Sequence, residues 1–510
     1  MTNKVTLIIT ILSIVFAFGC SKKPSIAPVN INKADTLHKD TTTKKDTTTG
    51  NPLGVPASVH TTFGSNTTSW VIGMHGDQSS WDGGGRVATD MAGNIYVLFN
   101  FYGLLDLDPG TGFTMGGSYY DKPTFAKYSS DGKLLWSKQI TNFGAIYVNV
   151  LKTDAQGNVY CSLTCPGESN IQIDNYNYSF KGDHDESILV KFDTNGHIDW
   201  LREIGVDIPS SDVWVNDLVI DANENLYVTG SYIGPLHFYD TGKTLNGPRF
   251  MFVDFFWAKY DVSGNLVSAH DILPAIVDNY NSYLPFDVSQ VHVAVDDQQN
   301  VFICGFGGPG NTTAPYPIGS SVPIGGEFIA KYDNQGKWVW LKVYNRQPPN
   351  DFYGQASNIL TDNNGGVFLF GQNGTYGVPT GDVLWKVDSS TGNDIWSQNI
   401  ATVNNDTQSN MTFDNNGNIM VAGNYVGDNR ANIYVSGFTK DGMQLYRKNI
   451  IAYQVGSLSL YGASAAYSND VTVSGLYTGG VDILGNNGDP INSLLDTKTG
   501  FFIAHISAGP

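Results

Sequence analysis

Two short patterns alternate from about residue 66 to the end of the chain, and they restrict its fold more than anything else in it. The first is an apolar strand, an Asp-x-x-Gly-Asn turn and a second apolar strand. It reads "TDMAGNIYVLF" at Asp90, "TDAQGNVYCSL" at Asp154, "IDANENLYVTG" at Asp221, "VDDQQNVFICG" at Asp296, "TDNNGGVFLFG" at Asp362 and "FDNNGNIMVAG" at Asp414. A seventh copy, "AYSNDVTVSG", is degenerate around Asn469. The second pattern is "FAKYSSDGKLLW", "VKFDTNGHIDW", "AKYDVSGNLVS", "AKYDNQGKWVW", "WKVDSSTGNDIW", "SGFTKDGMQLY" and, cut short, "IAHISAGP".

The turn chemistry explains the likeness of the copies. Asp or Asn opens a tight turn, and Gly or Asn takes the left-handed conformation that closes it. The flanking runs are apolar on both faces, which describes strands sandwiched between neighbours and not half-exposed ones. Each repeat is then two hairpins, a four-stranded antiparallel sheet that cannot hide both faces alone. Radial stacking hides them, and the expected fold is all-β: a seven-bladed propeller of four-stranded antiparallel blades over residues 66–510.

The last copy lacks a return strand, whereas "TTSWVIGMHG" (Thr67 to Gly76) is an apolar strand without a hairpin partner. Its Trp70 matches Trp136, Trp200 and Trp340 of the outer strands. We therefore expect Ser69 to Met74 to complete the seventh blade, with burial of Trp70, Val71 and Ile72 contributing about 1.5–3 kcal/mol each.

These copies resemble the seven-bladed β-propeller (SBBP) repeat family of bacterial extracytoplasmic proteins. "DFYGQASNILTDNNGGVFLFG" (Asp351 to Gly371) and "LYVTGSY" from Leu226 carry the resemblance. It implies fold and not function, because the family is defined by repeats rather than by catalytic residues. "DSSTGNDIW" (Asp388 to Trp396) also resembles quinoprotein-type repeats, but the other copies lack the extra Thr, so no quinone and no other cofactor is expected.

The N-terminus reads as an export signal. Lys4, the apolar run "VTLIITILSIVFAF" and "GCSKK" make a leader over 1–19 that is too short to span a membrane. "AFGC" resembles a bacterial lipobox, which implies a lipidated Cys20, a membrane tether and a place in the cell envelope, at the outer membrane. Residues 20–65, with "KADTLHKDTTTKKDTTTGNP", hold too few apolar side chains to fold and read as a flexible stalk of about 35 Å r.m.s. reach. Its Asp-Thr-Leu and Asp-Thr-Thr triplets resemble an O-glycosylation signal, and a plain solvated tether accounts for them as well.

Composition excludes several classes. The formal net charge is −18, which repels phosphate backbones and argues against nucleic acid. Four cysteines are too few for a disulfide scaffold, and Cys161 and Cys165 on one strand would lie about 13 Å apart. "DANEN" and "DNNGN" resemble the start of a calcium loop, but Tyr232 and Tyr425 stand where its glutamate belongs, and the histidines show no ligand spacing, so no metal is expected. "SSDGKLLW" misplaces the glycine of an Asp box, and no Gly-x-Ser-x-Gly elbow or phosphate loop occurs.

In such a blade the Asp-x-x-Gly turns share one face, and the variable second-to-third loops and crossovers share the other. Binding belongs on the variable face. Candidates there are the aromatic residues Trp81, Trp214, Tyr280, Tyr283, Phe352, Tyr353 and Tyr461, with Asn149, Asn216, Asn358 and Asn410 near the channel mouth. Docking between blades is the competing role for each. The expected function is non-catalytic binding or scaffolding of a protein or glycan. The alternative is an envelope polysaccharide hydrolase or lyase using carboxylates such as Asp77, Asp212, Asp287, Asp351 and Asp406.

Overall fold

The structure is a computed structural model. It describes residues 59–61 and 69–507, apart from 75–84, 102–104, 109–114, 117–121, 142–145, 166–169, 183–185, 207–211, 247–252, 273–290, 308–312, 316–320, 324–325, 346–355, 376–377, 402–408, 428–429, 453–455, 466–469, 485–489 and 495–498. The expected leader, Cys20 and most of the expected stalk lie outside the described residues. No described helix is long and apolar enough to cross a membrane.

Seven antiparallel sheets form the ring. Their inner strands are Gly85–Thr89, Tyr147–Thr153, Val213–Ile220, Val291–Val295, Ala356–Thr361, Ser409–Phe413 and Ser457–Ala465, for blades 1 to 7. Each inner strand packs beside the next, and that of blade 7 returns to that of blade 1. There Thr89 N donates to Ser464 Oγ (3.1 Å), and Thr89 Oγ1 donates to the carbonyl of Ala465 (2.7 Å). The second strands are the most enclosed, as in Val159–Cys165, where every residue is buried. Cys161 and Cys165 sit there buried and outside any disulfide, and burial pushes the Cys161 thiol up.

The ring closes as the orphan strands require. Trp70–Met74 pairs antiparallel with Thr499–Ile506, with Trp70 opposite His505 and Ile72 opposite Ile503. Ser507 N donates to Ser69 Oγ at 2.9 Å across the gap between head and tail. Trp70, Val71, Ile72 and Met74 are all buried. Beyond them Val59–Thr61, inside the segment read as stalk, adds a further strand with His60 opposite Ile72.

The turns use their aspartates as anchors. Asp90 Oδ1 accepts from Ala92 N (3.0 Å) and Asn94 N (2.8 Å), while Oδ2 accepts from Asn94 Nδ2 (2.8 Å). The same set recurs at Asp154, Asp221, Asp296 and Asp414. One expectation needs correction. The left-handed position is Gly in most copies, but Glu224 (φ 61°) and Gln299 (φ 63°) occupy it in blades 3 and 4, where Gly or Asn was expected. The aspartate cage holds the turn strongly enough to carry that strain of about 1–2 kcal/mol.

Neighbouring blades are stapled in both directions. An outer-strand indole lies on the turn of the following blade: Trp70 Nε1 donates to Ser130 O (2.9 Å), Trp200 Nε1 to Val262 O (3.2 Å) and Trp340 Nε1 to Ser389 O (3.1 Å). The turn glycine must be bare for this. A Cβ on Gly264 (φ +77°) would come within 2.7 Å of the Trp200 ring. In blade 3 the imidazole of His270 replaces the indole against Gly336. In the reverse direction, the second-to-third loop of blade 3 folds as a hairpin, Pro235–Phe238 with Lys243–Asn246, onto the outer strand of blade 2. The equivalent hairpin of blade 7, Val481–Leu484 with Pro490–Leu494, adds to blade 6. Two of the variable loops are therefore structural arms.

Candidate functional site

The inner strands start at the loop face and end at the Asp-x-x-Gly turns, so their first halves surround the channel mouth. A cavity of about 600 Å³ opens there and touches the inner strands of all seven blades. Its polar wall has a regular origin. A polar side chain stands four or five residues before the turn aspartate in blades 1 to 6: Arg86, Asn149, Asn216, His292, Asn358 and Asn410.

The offset of five has a physical cause. Pairing of the inner strand skips one residue at Asn149 in blade 2 and at Asn216 in blade 3, and it also skips one in blades 5 and 7. Such bulges turn a side chain out of the pleat and are common beside binding sites. The residues skipped in blades 5 and 7 are Ser357 and Tyr461. Blades 1, 4 and 6 show no such shift in these strands.

Arg86 bridges three blades. Its Nε donates to the carbonyl of Asn149 (2.7 Å) and its Nη1 to the carbonyl of Tyr461 (2.5 Å). Burial draws the guanidinium below its ordinary value, partly offset by the fields of Tyr461 and Asp217. Asp217 follows the bulge at Asn216 and accepts from Leu218 N (2.8 Å) and Val293 N (3.2 Å). His292 Nδ1 lies 3.4 Å from Asp217 Oδ2. Burial works to raise the Asp217 carboxyl. The hydrogen bond from His292, the charge of Lys152 and the amide of Val293 outweigh it, and the group stays below the usual carboxylate range.

Several polar atoms at the mouth are unspent. His292 Nε2 and Asn216 Oδ1 are enclosed and have no hydrogen-bond partner. Asn149 differs, since its Nδ2 donates to Thr164 Oγ1 at 2.8 Å. At the rim, Trp214 packs against the half-exposed ring of Tyr147 from the neighbouring blade, with centroids 5.7 Å apart at 48°.

Of the residues singled out from the sequence, Trp214, Asn149, Asn216, Asn358 and Asn410 line this cavity, and Tyr461 contributes its carbonyl to the wall. Cys20, Trp81, Tyr280, Tyr283, Phe352 and Tyr353 lie outside the described residues, as do Asp77, Asp287, Asp351 and Asp406. Asp212 is described, but it does not line the cavity; its carbonyl accepts from Ile233 N at 3.2 Å. Among the described residues Asp217 is the sole carboxylate in the lining. Sequence reading passed over Arg86, Lys152, Asp217 and His292. Counting four residues back from each turn aspartate finds Arg86 and His292.

The chain carries a repeat that matches the family model described as "SBBP: Beta-propeller repeat", over residues 199–234. That span runs from the outer strand of blade 2 into blade 3 and includes Trp214, Asn216 and Asp217. No curated protein matches the chain. Among solved structures, a quinohemoprotein alcohol dehydrogenase from Comamonas testosteroni is similar at 8% identity, covering 82% of this chain and 75% of that one, with a TM-score of 0.36. A gluconolactonase from Xanthomonas campestris is similar at 12% identity, covering 58% and 95%, with a TM-score of 0.26. Neither likeness bears on the chemistry of this chain.

Proposed function

We propose that this protein is a non-catalytic binding module, tethered to the bacterial envelope through a lipidated Cys20, that takes a glycan at the channel mouth. The observation that carries the reading is the ring of amide side chains around a cavity of ligand size. Each amide offers both a donor and an acceptor, which matches the mixed demands of sugar hydroxyls. The Tyr147–Trp214 pair at the rim supplies an apolar face on which a sugar ring can lie. A protein ligand is the competing occupant of the same mouth. Glycan-array screening of the soluble chain, residues 21–510, followed by calorimetric titration, tests this. Saturable glycan binding lost in Asn216→Ala and Trp214→Ala supports the reading, and exclusive capture of a protein partner refutes it. The tether is checked separately by detergent-phase partition of the full chain and of Cys20→Ala.

A second reading rests on the Asp217–His292 pair. A carboxylate that orients an imidazole, with the second ring nitrogen unspent, is the geometry of a general base. If the module is instead a polysaccharide hydrolase or lyase, incubation with a bound glycan releases new chain ends, and His292→Gln abolishes the release. Binding without turnover favours the first reading.

A further inference from the structure

We propose that the glycan is acidic, and that Arg86 and Lys152 hold its carboxylate inside the channel. This rests on the glycan reading above and adds the charge class of the ligand.

The argument begins from the balance of charge. The chain holds 47 acidic against 29 basic residues, yet the channel cavity is lined by Arg86 and Lys152 against the single carboxylate of Asp217 among the described residues. Among the described residues neither cation makes a direct ion pair, and Asp217 is the one carboxylate of the lining whose field reaches them. Arg86 spends two donors on backbone carbonyls, which carry no net charge, and the field of Asp217 acts on it. Lys152 is exposed to the cavity and makes no hydrogen bond among the described residues. Two cations facing one carboxylate leave the cavity lining one positive charge in excess, which an anionic ligand balances.

Asp217 is the obvious objection, since it would repel an anion. Its oxygens are already engaged by two backbone amides and by His292. It also sits within the field of both cations, which offsets part of its own repulsion. Lys152 lies three residues beyond Asn149, whose carbonyl seats Arg86, and both cations line the same cavity. The unspent Asn216 Oδ1 and His292 Nε2 then meet hydroxyls, not the carboxylate. A uronate has this combination: one anionic group on a ring of hydroxyls.

The test is calorimetric titration of the soluble chain with uronate tetrasaccharides (galacturonate, glucuronate and mannuronate), each beside its carboxyl-reduced neutral counterpart, with tetraglutamate as a non-sugar anion. We expect at least one uronate to bind tenfold or more tightly than its reduced form, with affinity falling as salt rises. Lys152→Gln should weaken that binding about five- to tenfold with an unchanged melting curve. Arg86→Lys, which keeps the charge and loses the fork, should weaken it less. Equal affinity for acidic and reduced forms overturns the inference and leaves the glycan reading standing, as does a Lys152→Gln chain of unaltered affinity. Binding of tetraglutamate with no saccharide overturns both.

Discussion

The two ends of each inner strand use similar polar residues in opposite ways. At the turn end, Asp90, Asp154, Asp221, Asp296 and Asp414 give both carboxylate oxygens to amides of their own turns. At the loop end, Asn216 and His292 keep atoms that the fold does not use. A polar side chain whose bonds are all made locally is part of the scaffold, and one left unspent in an enclosed cavity is available to a ligand. The difference also sorts the ways in which the molecule should fail.

The largest effect should come from the closure strand. Trp70→Ala removes a buried indole, its bond to Ser130 and part of the join between head and tail. A loss of about 3–5 kcal/mol is expected in denaturant unfolding. A loss under 1 kcal/mol would show that blade 7 holds without its borrowed strand. Next comes the turn end. Asp154→Ala frees the amides of Gln156 and Asn158 and should cost about 1.5–3 kcal/mol, without altering ligand binding at the mouth. Binding lost at unchanged stability would break the division between the two ends.

A third effect lies between the ends, where blades 5 and 6 meet. Asp382 is buried and accepts a hydrogen bond from Tyr434, yet burial dominates and raises its carboxyl to about 7. Its folded value exceeds its unfolded one, so its stabilising contribution is full below about pH 4 and is lost as pH rises through 7. Melting temperature measured from pH 4 to pH 8 should fall over that window, and Asp382→Asn should flatten the fall. An identical slope in the variant would count against this group. The smallest effect is the sharpest contrast with the turns. Asn216→Ala removes an amide whose oxygen bonds nothing, and stability should change by less than about 0.5 kcal/mol. A larger loss would make Asn216 a scaffold residue.

Legibility follows the same divide. The Asp-x-x-Gly turns and the enclosed second strands were readable because both depend on residues close together in the chain. The head-to-tail closure was readable too, since a missing strand at one end matched a spare one at the other. The bulges at Asn149 and Asn216 were not, because a skipped pairing depends on the partner strand as well as on its own residues. Nor were the arms at 235–246 and 481–494, which pair with the outer strand of the preceding blade. Arg86 illustrates the middle ground. Its place relative to Asp90 could be counted, but its bonds to Asn149 and Tyr461 join blades 1, 2 and 7.

By itself, then, the sequence determined how many wedges form, how each turns and where the ring is joined, since repetition and local turn chemistry carry that information. Which side chains meet in the channel was decided only by tertiary structure. Residues more than fifty positions apart become neighbours around a common axis, and a one-residue shift in pairing selects which of them faces it.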